Sequence, residues 1–470
     1  MEKTQVAVIG AGPGGYVAAF RAADLGLQVT LIDPEADPGG VCLYRGCIPS
    51  KALLHVARLI SEAREAEAWG VRFAKPKVDL DRLNAWKDGV IARLTGGLGQ
   101  LVKARRIRYL RGRAKLSGAH EAVVTLAEGG QTELQFGHAI LATGSRPATV
   151  PLFPTGDPRV LDSSGALALA QVPRSLLVVG GGYIGLELGS VYAALGSRVS
   201  VVEMTDALIA PADRDLVKPL QARLGELFAE VRLSTQVVAV RPEAKGLEVD
   251  FRGPDGATST QTYACVLVSV GRRPNSEGLG LEHTRVECDA RGFVVVDNQR
   301  RTAEPSLFAI GDVIGSGLAH TASHEGMVAA EAIAGHHAVF EPQAVPAVVF
   351  TDPELAWCGL TEQEARRQGR TVKVSRFPWA ASGRATTLAR SEGLTKLVIE
   401  PGTDRVLGVG VVGPGAGELI AEGVLAIEMG AVARDLSLCI HPHPTLSETV
   451  MEAAEVYFGQ SPHLFAPRRP

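Results

Sequence analysis

The chain has 470 residues, with 48 lysines and arginines against 51 aspartates and glutamates and a formal net charge of −3. That balance excludes the basic footprint of a nucleic-acid binder and gives no strong attraction to a membrane, while the length predicts two to four domains instead of one core. Of the 6 cysteines only Cys42 and Cys47 lie close together, and Cys265, Cys288, Cys358 and Cys439 stand alone, which excludes a secreted disulfide framework and predicts a reducing, cytoplasmic compartment.

The chain opens on a strand expected over Thr4 to Ile9, which leaves no room for a signal peptide. Gln5 to Ile9 is a short apolar run typical of a buried parallel strand. Gly10-Ala11-Gly12-Pro13-Gly14-Gly15 then matches G-x-G-x-x-G, a helix is expected to about Leu25, and a second strand over Val29 to Ile32 ends at Asp33. Gly10 permits the tight turn, Gly12 lets backbone approach a pyrophosphate, and Gly15 lets helix pack on strand. The helix N-terminus faces the phosphates and Asp33 can accept from ribose hydroxyls.

Next comes Gly40-Val41-Cys42-Leu43-Tyr44-Arg45-Gly46-Cys47-Ile48-Pro49-Ser50-Lys51. A disulfide here would close a very small ring, which constrains the unfolded chain little, so the pair reads as a redox centre and not a staple. Its reactive species is a thiolate, favoured by cations and helix N-termini. Arg45 and Lys51 supply cations, and a helix is expected from Ile48 to Leu59. Mostly helical sequence is expected on to about Leu101, with His55 a packed or surface helix residue. Strand-like runs follow at Ile107 to Leu110 and Val123 to Thr125, and an apolar strand from Ala139 ends in Thr143-Gly144-Ser145, small residues suited to lie against a ligand. Pro147, Pro151, Pro154 and Pro158 mark a domain boundary.

Residues 176–203 repeat the opening design: strand Leu176 to Val179, loop Gly180-Gly181-Gly182-Tyr183-Ile184-Gly185, helix to Leu195 ended by Gly196, strand Val199 to Val202, and Glu203. Two such units predict two bound dinucleotides. Glu203 suits a free 2′-hydroxyl and would repel a 2′-phosphate, and Met204, Thr205 and Asp206 supply no arginine, so NAD is expected over NADP. Glu187, alone, reads as a surface helix carboxylate; its presence with the glycine cluster makes residues 175–195 a poor membrane span. Strand-rich sequence is expected to Val270. Leu307 to Val313 is an apolar strand with Gly311-Asp312 at its end, followed by a helix from Leu318-Ala319-His320 to about Ala334. From Val345 a smaller α+β domain is expected, with strands near Val372 to Phe377, Leu394 to Ile399 and Val406 to Val412, and helices over Glu418 to Met429 and Leu446 to Phe458.

The last motif is His441-Pro442-His443-Pro444-Thr445-Leu446-Ser447-Glu448. Prolines on both sides of His443 restrict the backbone, so the imidazole can be aimed. Thr445 and Glu448 fit a capping box, with Thr as N-cap and Glu at N3. Glu448 could equally orient His443 and stabilise its imidazolium in an acid–base pair, and one carboxylate can do both. His441 reads as structural.

These stretches, in this order, resemble the pyridine nucleotide-disulfide oxidoreductases over essentially the whole chain. The redox stretch resembles G-G-x-C-x-N-x-G-C-I-P-S-K, and His443 to Glu448 matches H-P-T-x-x-E residue by residue. The resemblance implies an α/β fold with two Rossmann-like domains plus an α+β dimerisation domain. It divides the chain into an FAD domain (1–147, with 272–344 returning to it), an NAD domain (148–271) and an interface domain (345–470), the last opening at Val348 to Glu354.

The resemblance also implies site roles. Cys42 would be the interchange sulfur and Cys47 the sulfur against the flavin. Lys51 would sit near flavin N5, paired with Glu187, and His443 with Glu448 would be the acid–base pair, supplied by the partner of a homodimer. FAD contacts carry over to Gly10, Gly12, Gly14, Gly15, Asp33, Gly40, Val41, Cys42, Lys51, Ala114, Thr143, Gly144, Ser145, Asp312 and Ala319. NAD contacts carry over to Gly180, Gly182, Tyr183, Ile184, Gly185, Glu203, Val237 and Gly271. No metal is implied. The implied activity is oxidation of dihydrolipoyl groups with reduction of NAD, with docking on the acyltransferase core of a 2-oxo acid dehydrogenase complex. No lipoyl domain precedes Met1, so the lipoyl group is expected on another chain.

The chain departs from the family pattern at Val41, Tyr44 and Arg45, where Thr, Asn and Val are common. Arg45 is expected to favour thiolate and raise the redox potential. Phe350 replaces a usual Tyr, and His324 stands where an acid is usual. Sibling reductases fit less well: those using NADPH carry arginines after the second loop, and mercuric and large thioredoxin reductases need a C-terminal cysteine pair, which the Ala466-Pro-Arg-Arg-Pro470 tail lacks. NADH oxidases typically carry one active cysteine, and a non-catalytic FAD subunit would not need both cysteines and the His–Glu pair.

Overall fold

The computed structural model describes residues 2–154 and 156–465; the Ala466 to Pro470 tail lies outside them. Three sheets organise the chain. In the first, Glu2–Ile9 pairs in parallel with Val29–Asp33 on one side and with Gln131–Leu141 on the other. Arg108–Gly118 and Leu307–Ala309 extend the parallel layer at its two edges. The two longest strands then run past the layer and pair antiparallel with Glu121–Leu126. The apolar runs 6–9 and 139–141 are fully or almost fully buried because helices or strands cover both faces of a parallel layer. Helix Pro13–Asp24 lies against helix Ala319–Ile333, and the contact is close: a Cβ on Gly326 would stand 2.5 Å from the Gly14 carbonyl oxygen.

The second sheet is wholly parallel, in the order Glu230–Arg232, Arg198–Val202, Ser175–Val179, Cys265–Val268, Val160–Leu161. A three-stranded antiparallel sheet (Gln236–Glu243, Gly246–Arg252, Thr258–Tyr263) packs on it through Val237, Leu247, Val249 and Phe251. Between these layers the chain crosses out as Ser145–Pro147 and back as Arg272–Pro274, and those two strands pair with each other. The third sheet is antiparallel, in the order Ala347–Val349, Leu355–Gly359, Val406–Val412, Leu394–Ile399, Lys373–Pro378, and is covered by helices Ala416–Glu428 and Glu448–Phe458. Its core is pinned by Trp379, fully buried, whose indole N–H donates to Thr395 Oγ1 at 2.9 Å. Truncating such a side chain costs about 3–5 kcal/mol.

The mostly helical stretch after Cys47 is built of two helices: Cys47–Glu65 passes through a 3-10 turn to Gly70, and a second helix spans Leu80–Ala104. Gly70 takes the left-handed φ of +86° that ends the first helix, and the Asp79 carboxylate caps the second by accepting from the Arg82 N–H. The strand-rich stretch before Val270 contains helix Arg214–Leu227, whose buried residues Leu216, Val217, Leu220 and Leu224 have helical spacing. This helix ties the second sheet to the third. Lys396, fully buried on the third sheet, reaches Asp213, Asp215 and Glu362 at 2.8, 3.0 and 2.9 Å. Among the described residues no helix is long and apolar enough to cross a membrane.

Candidate active site

The first glycine loop is shaped by contacts a side chain would block. Gly10 has φ +101°, and a Cβ there would meet the Ala142 carbonyl oxygen at 2.3 Å. A Cβ on Gly15 would stand 1.8 Å from the Gly10 oxygen, so helix and strand touch backbone to backbone. Asp33 is buried and accepts from the N–H groups of Ala11 (2.7 Å) and Glu35 (3.0 Å). Burial pushes its carboxyl up, against the pull of those two donors.

The cysteines straddle a break between two helices. Cys42 lies in Gly40–Arg45, and Cys47 begins the helix Cys47–Glu65, where the helix dipole favours a thiolate. The structure holds them as two unbridged thiols. The Cys47 thiol is lowered to about 7, first by the hydrogen bond from Cys42 and then, against burial, by the Lys51 ammonium. Cys42 is pushed well up by the same bond and by burial. Lys51 Nζ donates to Glu187 Oε2 at 2.9 Å and stands 4.4 Å over the Phe350 ring. Glu187 is 3% exposed, and its other oxygen accepts from the Phe350 N–H at 3.0 Å. It is therefore not a surface carboxylate, and Phe350 supplies the ring and the donor at this spot. Arg45 corrects another expectation: it turns away to an ion pair with Glu35, leaving Lys51 as the cation that acts on Cys47.

One cavity of about 930 Å³ joins these parts. Gly10, Gly12, Gly14, Gly15, Asp33, Gly40, Val41, Cys42, Cys47, Lys51, Ala114, Thr143, Gly144, Ser145, Asp312 and Ala319 line it, as do Tyr183, Ile184 and Glu187 from the second unit. Gly180, Gly182, Gly185, Glu203, Val237 and Gly271 do not. They belong to the second loop and its surroundings, which repeat the first loop's geometry. A Cβ on Gly185 would stand 2.5 Å from the Gly180 oxygen, and Glu203 accepts from the Gly181 N–H at 2.7 Å. The Val237 side chain is buried in the core with Phe251.

Two residues escaped the sequence reading, Arg272 on the cavity wall and Glu325 behind it. Arg272 donates through Nε and Nη2 to the Ser145 hydroxyl and carbonyl, both at 2.7 Å, and Ser145 Oγ donates to Asp312 Oδ2 at 2.5 Å. Glu325, next to His324, is buried, accepts from the Gly311 N–H and the Ser316 hydroxyl at 2.7 Å each, and faces Arg300 at 3.4 Å. In the sequence Arg272 stood only at a domain bound, and Glu325 only as one residue of a helix.

The second constellation lies outside this cavity. His443 Nδ1 and Glu448 Oε1 are 2.9 Å apart, and Glu448 Oε2 accepts from the Thr445 N–H at 2.7 Å. Burial raises the Glu448 carboxyl, but the Thr445 and His443 bonds outweigh it and hold it below its usual range. The capping box is half formed. The helix starts at Glu448, and the Thr445 hydroxyl donates to the Pro442 carbonyl at 2.7 Å instead of capping. The His443–Pro444 peptide is cis. The His443 side chain is 75% exposed.

Chemically, the arrangement offers a thiol pair able to cycle through a disulfide, a buried ammonium–carboxylate pair beside it, and an oriented imidazole on an outer face. The family described as pyridine nucleotide-disulphide oxidoreductase matches residues 4–326, and its dimerisation domain matches residues 345–454. A dihydrolipoyl dehydrogenase of Haemophilus influenzae is 48% identical over 458 residues, 97% of this chain and 95% of that one. A Thermus scotoductus protein of the same name is 47% identical over 467 residues, 99% of each chain. Among solved structures, LpdA from Mycobacterium tuberculosis superposes with a TM-score of 0.89 at 28% identity, covering 97% of this chain and 99% of its own. RclA from Escherichia coli, titled an HOCl-induced flavoprotein disulfide reductase, does so with a TM-score of 0.85 at 26% identity, covering 96% and 99%.

Proposed function

The chain belongs to the pyridine nucleotide-disulphide oxidoreductase family, and within it we propose that it oxidises protein-bound dihydrolipoyl groups to lipoyl groups with reduction of NAD, through Cys42, Cys47 and FAD. One observation carries the reading: a cysteine pair with one lowered thiol and an oriented His–Glu pair occur in the same chain. A dithiol substrate needs both, a disulfide to receive its electrons and a base to ionise it.

FAD fits the cavity. A Cβ on Gly12 would find nothing closer than the Gly40 Cα at 4.0 Å, so the loop floor is open to a pyrophosphate. Asp312 lies further along the same cavity, with Lys51 and Cys47. When bound, FAD supplies the two-electron relay from the thiol pair to the nicotinamide. For the second nucleotide, Glu203 favours NAD, because its carboxylate would repel a 2′-phosphate.

The chain's own residues perform the thiol chemistry. In a homodimer, His443 of one subunit removes a proton from a substrate thiol at the cysteine pair of the other. The substrate thiolate attacks Cys42 Sγ, the Cys42–Cys47 bond breaks, and Cys47 leaves as a thiolate held by the Lys51 ammonium. The second substrate thiol attacks the mixed disulfide and closes the lipoyl ring; Cys42 leaves and takes the first proton from His443, and the freed imidazole accepts the proton of the second thiol. Glu448 orients the imidazole and balances its charge throughout. The dimerisation-domain match over residues 345–454 supports the homodimer. The reading assigns the lipoyl groups to a 2-oxo acid dehydrogenase complex with its acyltransferase core, and the scattered cysteines support a reducing, cytoplasmic setting.

Anaerobic titration of the purified protein with dihydrolipoamide, then NAD, tests the reading. A long-wavelength band at two electrons, discharged by NAD as NADH appears, is expected. Reduction by NADH but not by dihydrolipoamide would move the substrate to another disulfide. His443→Gln is expected to suppress dihydrolipoamide oxidation by roughly 10²–10⁴-fold while FAD stays bound; activity within a few-fold would remove His443 from the chemistry.

A further inference from the structure

The segment that presents His443 runs between helices Ala433–Leu438 and Glu448–Phe458. Within one subunit, burial does not hold its middle. Ile440 is 99% exposed, and the His443 side chain stands mostly in the open. Each of its two histidines is tied to a neighbouring helix through a glutamate. On the C-terminal side, His443 and Thr445 share the two oxygens of Glu448. On the N-terminal side, His441 is tucked in with its side chain 8% exposed. Its Nε2 lies 2.9 Å from Glu422 Oε1 on helix Ala416–Glu428, and its Nδ1 lies 3.0 Å from the Cys439 carbonyl oxygen. Both partners are acceptors, so both ring nitrogens donate when both bonds are made.

Between the two histidines stands one residue, Pro442, whose ring fixes its own φ. Its carbonyl is in turn held by the Thr445 hydroxyl at 2.7 Å. The orientation of His441 therefore passes to His443 through a stiff single-residue link. Two helices grip the segment, one through each histidine, and each grip ends on a glutamate.

We propose that His441, held by Glu422, is a positioning residue that sets the reach of His443 toward the cysteine pair it serves. This deepens the functional reading above and rests on His443 being the base. His441 touches neither substrate nor cofactor. Its contribution is geometric, and a displacement of about 1 Å at a reacting group can cost on the order of 100-fold in rate.

Four variants test this: His441→Phe, which keeps a ring but removes both bonds; His441→Gln, which keeps an N–H donor toward Glu422; Glu422→Gln; and His443→Gln. Each is assayed for dihydrolipoamide oxidation and for NADH-driven reduction of a one-electron dye, which draws electrons from the flavin without deprotonating a thiol. His441→Phe is expected to lower the dihydrolipoamide kcat about 10-fold or more with the dye activity unchanged, and His441→Gln to recover most of the loss. Glu422→Gln removes the anionic acceptor without touching either histidine, and a partial loss confined to the dithiol reaction is expected there, even if His441→Phe fails to fold. Full dithiol activity in His441→Phe and Glu422→Gln, with His443→Gln inactive, overturns the proposal. Parallel loss of both activities also overturns it, because that is the mark of general fold support. If His443→Gln itself stays active, the base assignment fails first, and the positioning role falls with it.

Discussion

The chain builds the same strand–glycine loop–helix–strand–acid unit twice and surrounds the two copies differently. In both, a glycine oxygen presses on the third glycine of the motif, and an acid at the end of the second strand accepts from the loop N–H at 2.7 Å. The first copy opens into a large cavity that also holds the cysteine pair, and its acid is buried. The second copy reaches that cavity only through the start of its helix, at Tyr183, Ile184 and Glu187, and its acid is partly exposed. The same local code can thus border a large cavity in one place and touch it only at its edge in another. Surroundings, not the motif, make the difference.

The largest expected break in this comparison is a matched pair of glycine substitutions. Gly10→Ala puts a Cβ 2.3 Å from the Ala142 oxygen at a φ of +101°, and Gly180→Ala puts one 2.6 Å from the Ser269 oxygen at +109°. Gly10→Ala is expected to yield protein largely without flavin, read from the visible spectrum. Gly180→Ala is expected to stay yellow and to raise the KM for NAD by about 10-fold or more, as one lost seat for a pyrophosphate implies.

Where the two units meet, Lys51→Met sharpens the comparison. The Lys51 cation helps hold the Cys47 thiol at about 7, so the thiolate forms as pH rises through that value. Removing the cation disfavours the thiolate, moves the midpoint upward, and slows labelling at pH 7. Alkylation of the reduced protein across pH 5–10 checks both midpoint and direction.

A smaller effect is expected for Glu203→Gln, which removes the charge that would repel a 2′-phosphate. The ratio of kcat/KM for NAD to that for NADP should fall several-fold, in line with about 1 kcal/mol for one charge contact. An unchanged ratio would take nucleotide choice away from Glu203. The smallest effect is expected for Arg45→Val. Glu35 answers the Arg45 charge, so the potential measured against the NAD couple should barely move.

The legible parts of the fold were those with local causes. Strands Leu394–Ile399 and Val406–Val412 and the helix end at Gly196 stand where apolar runs and a glycine put them. The helix Arg214–Leu227 hid because its apolar spacing lay in a stretch dominated by short strands. At the site, residue types and spacing exposed the cysteine pair, both glycine loops and their acids. Long-range partners stayed hidden. Nothing near Arg272 points to Ser145, 127 residues earlier, and nothing near Arg45 chooses Glu35 over Lys51's neighbourhood. Glu187 shows the same limit from the other side: it was placed near Lys51 through resemblance, while its own surroundings in the chain suggested solvent.

The paired strands Ser145–Pro147 and Arg272–Pro274 make the stretch between them a detour with a common entrance and exit. Arg272 stands opposite Pro147, and the Ala148 N–H donates to the Gly271 carbonyl at 3.0 Å. The first and last residues of a 124-residue excursion are therefore hydrogen-bonded neighbours. In topological terms residues 148–271 form a bulb on a two-stranded stem. A bulb of different size could be grafted on that stem without changing the register of any strand in the first sheet, because the stem, and not the bulb, carries the chain back to Leu307–Ala309.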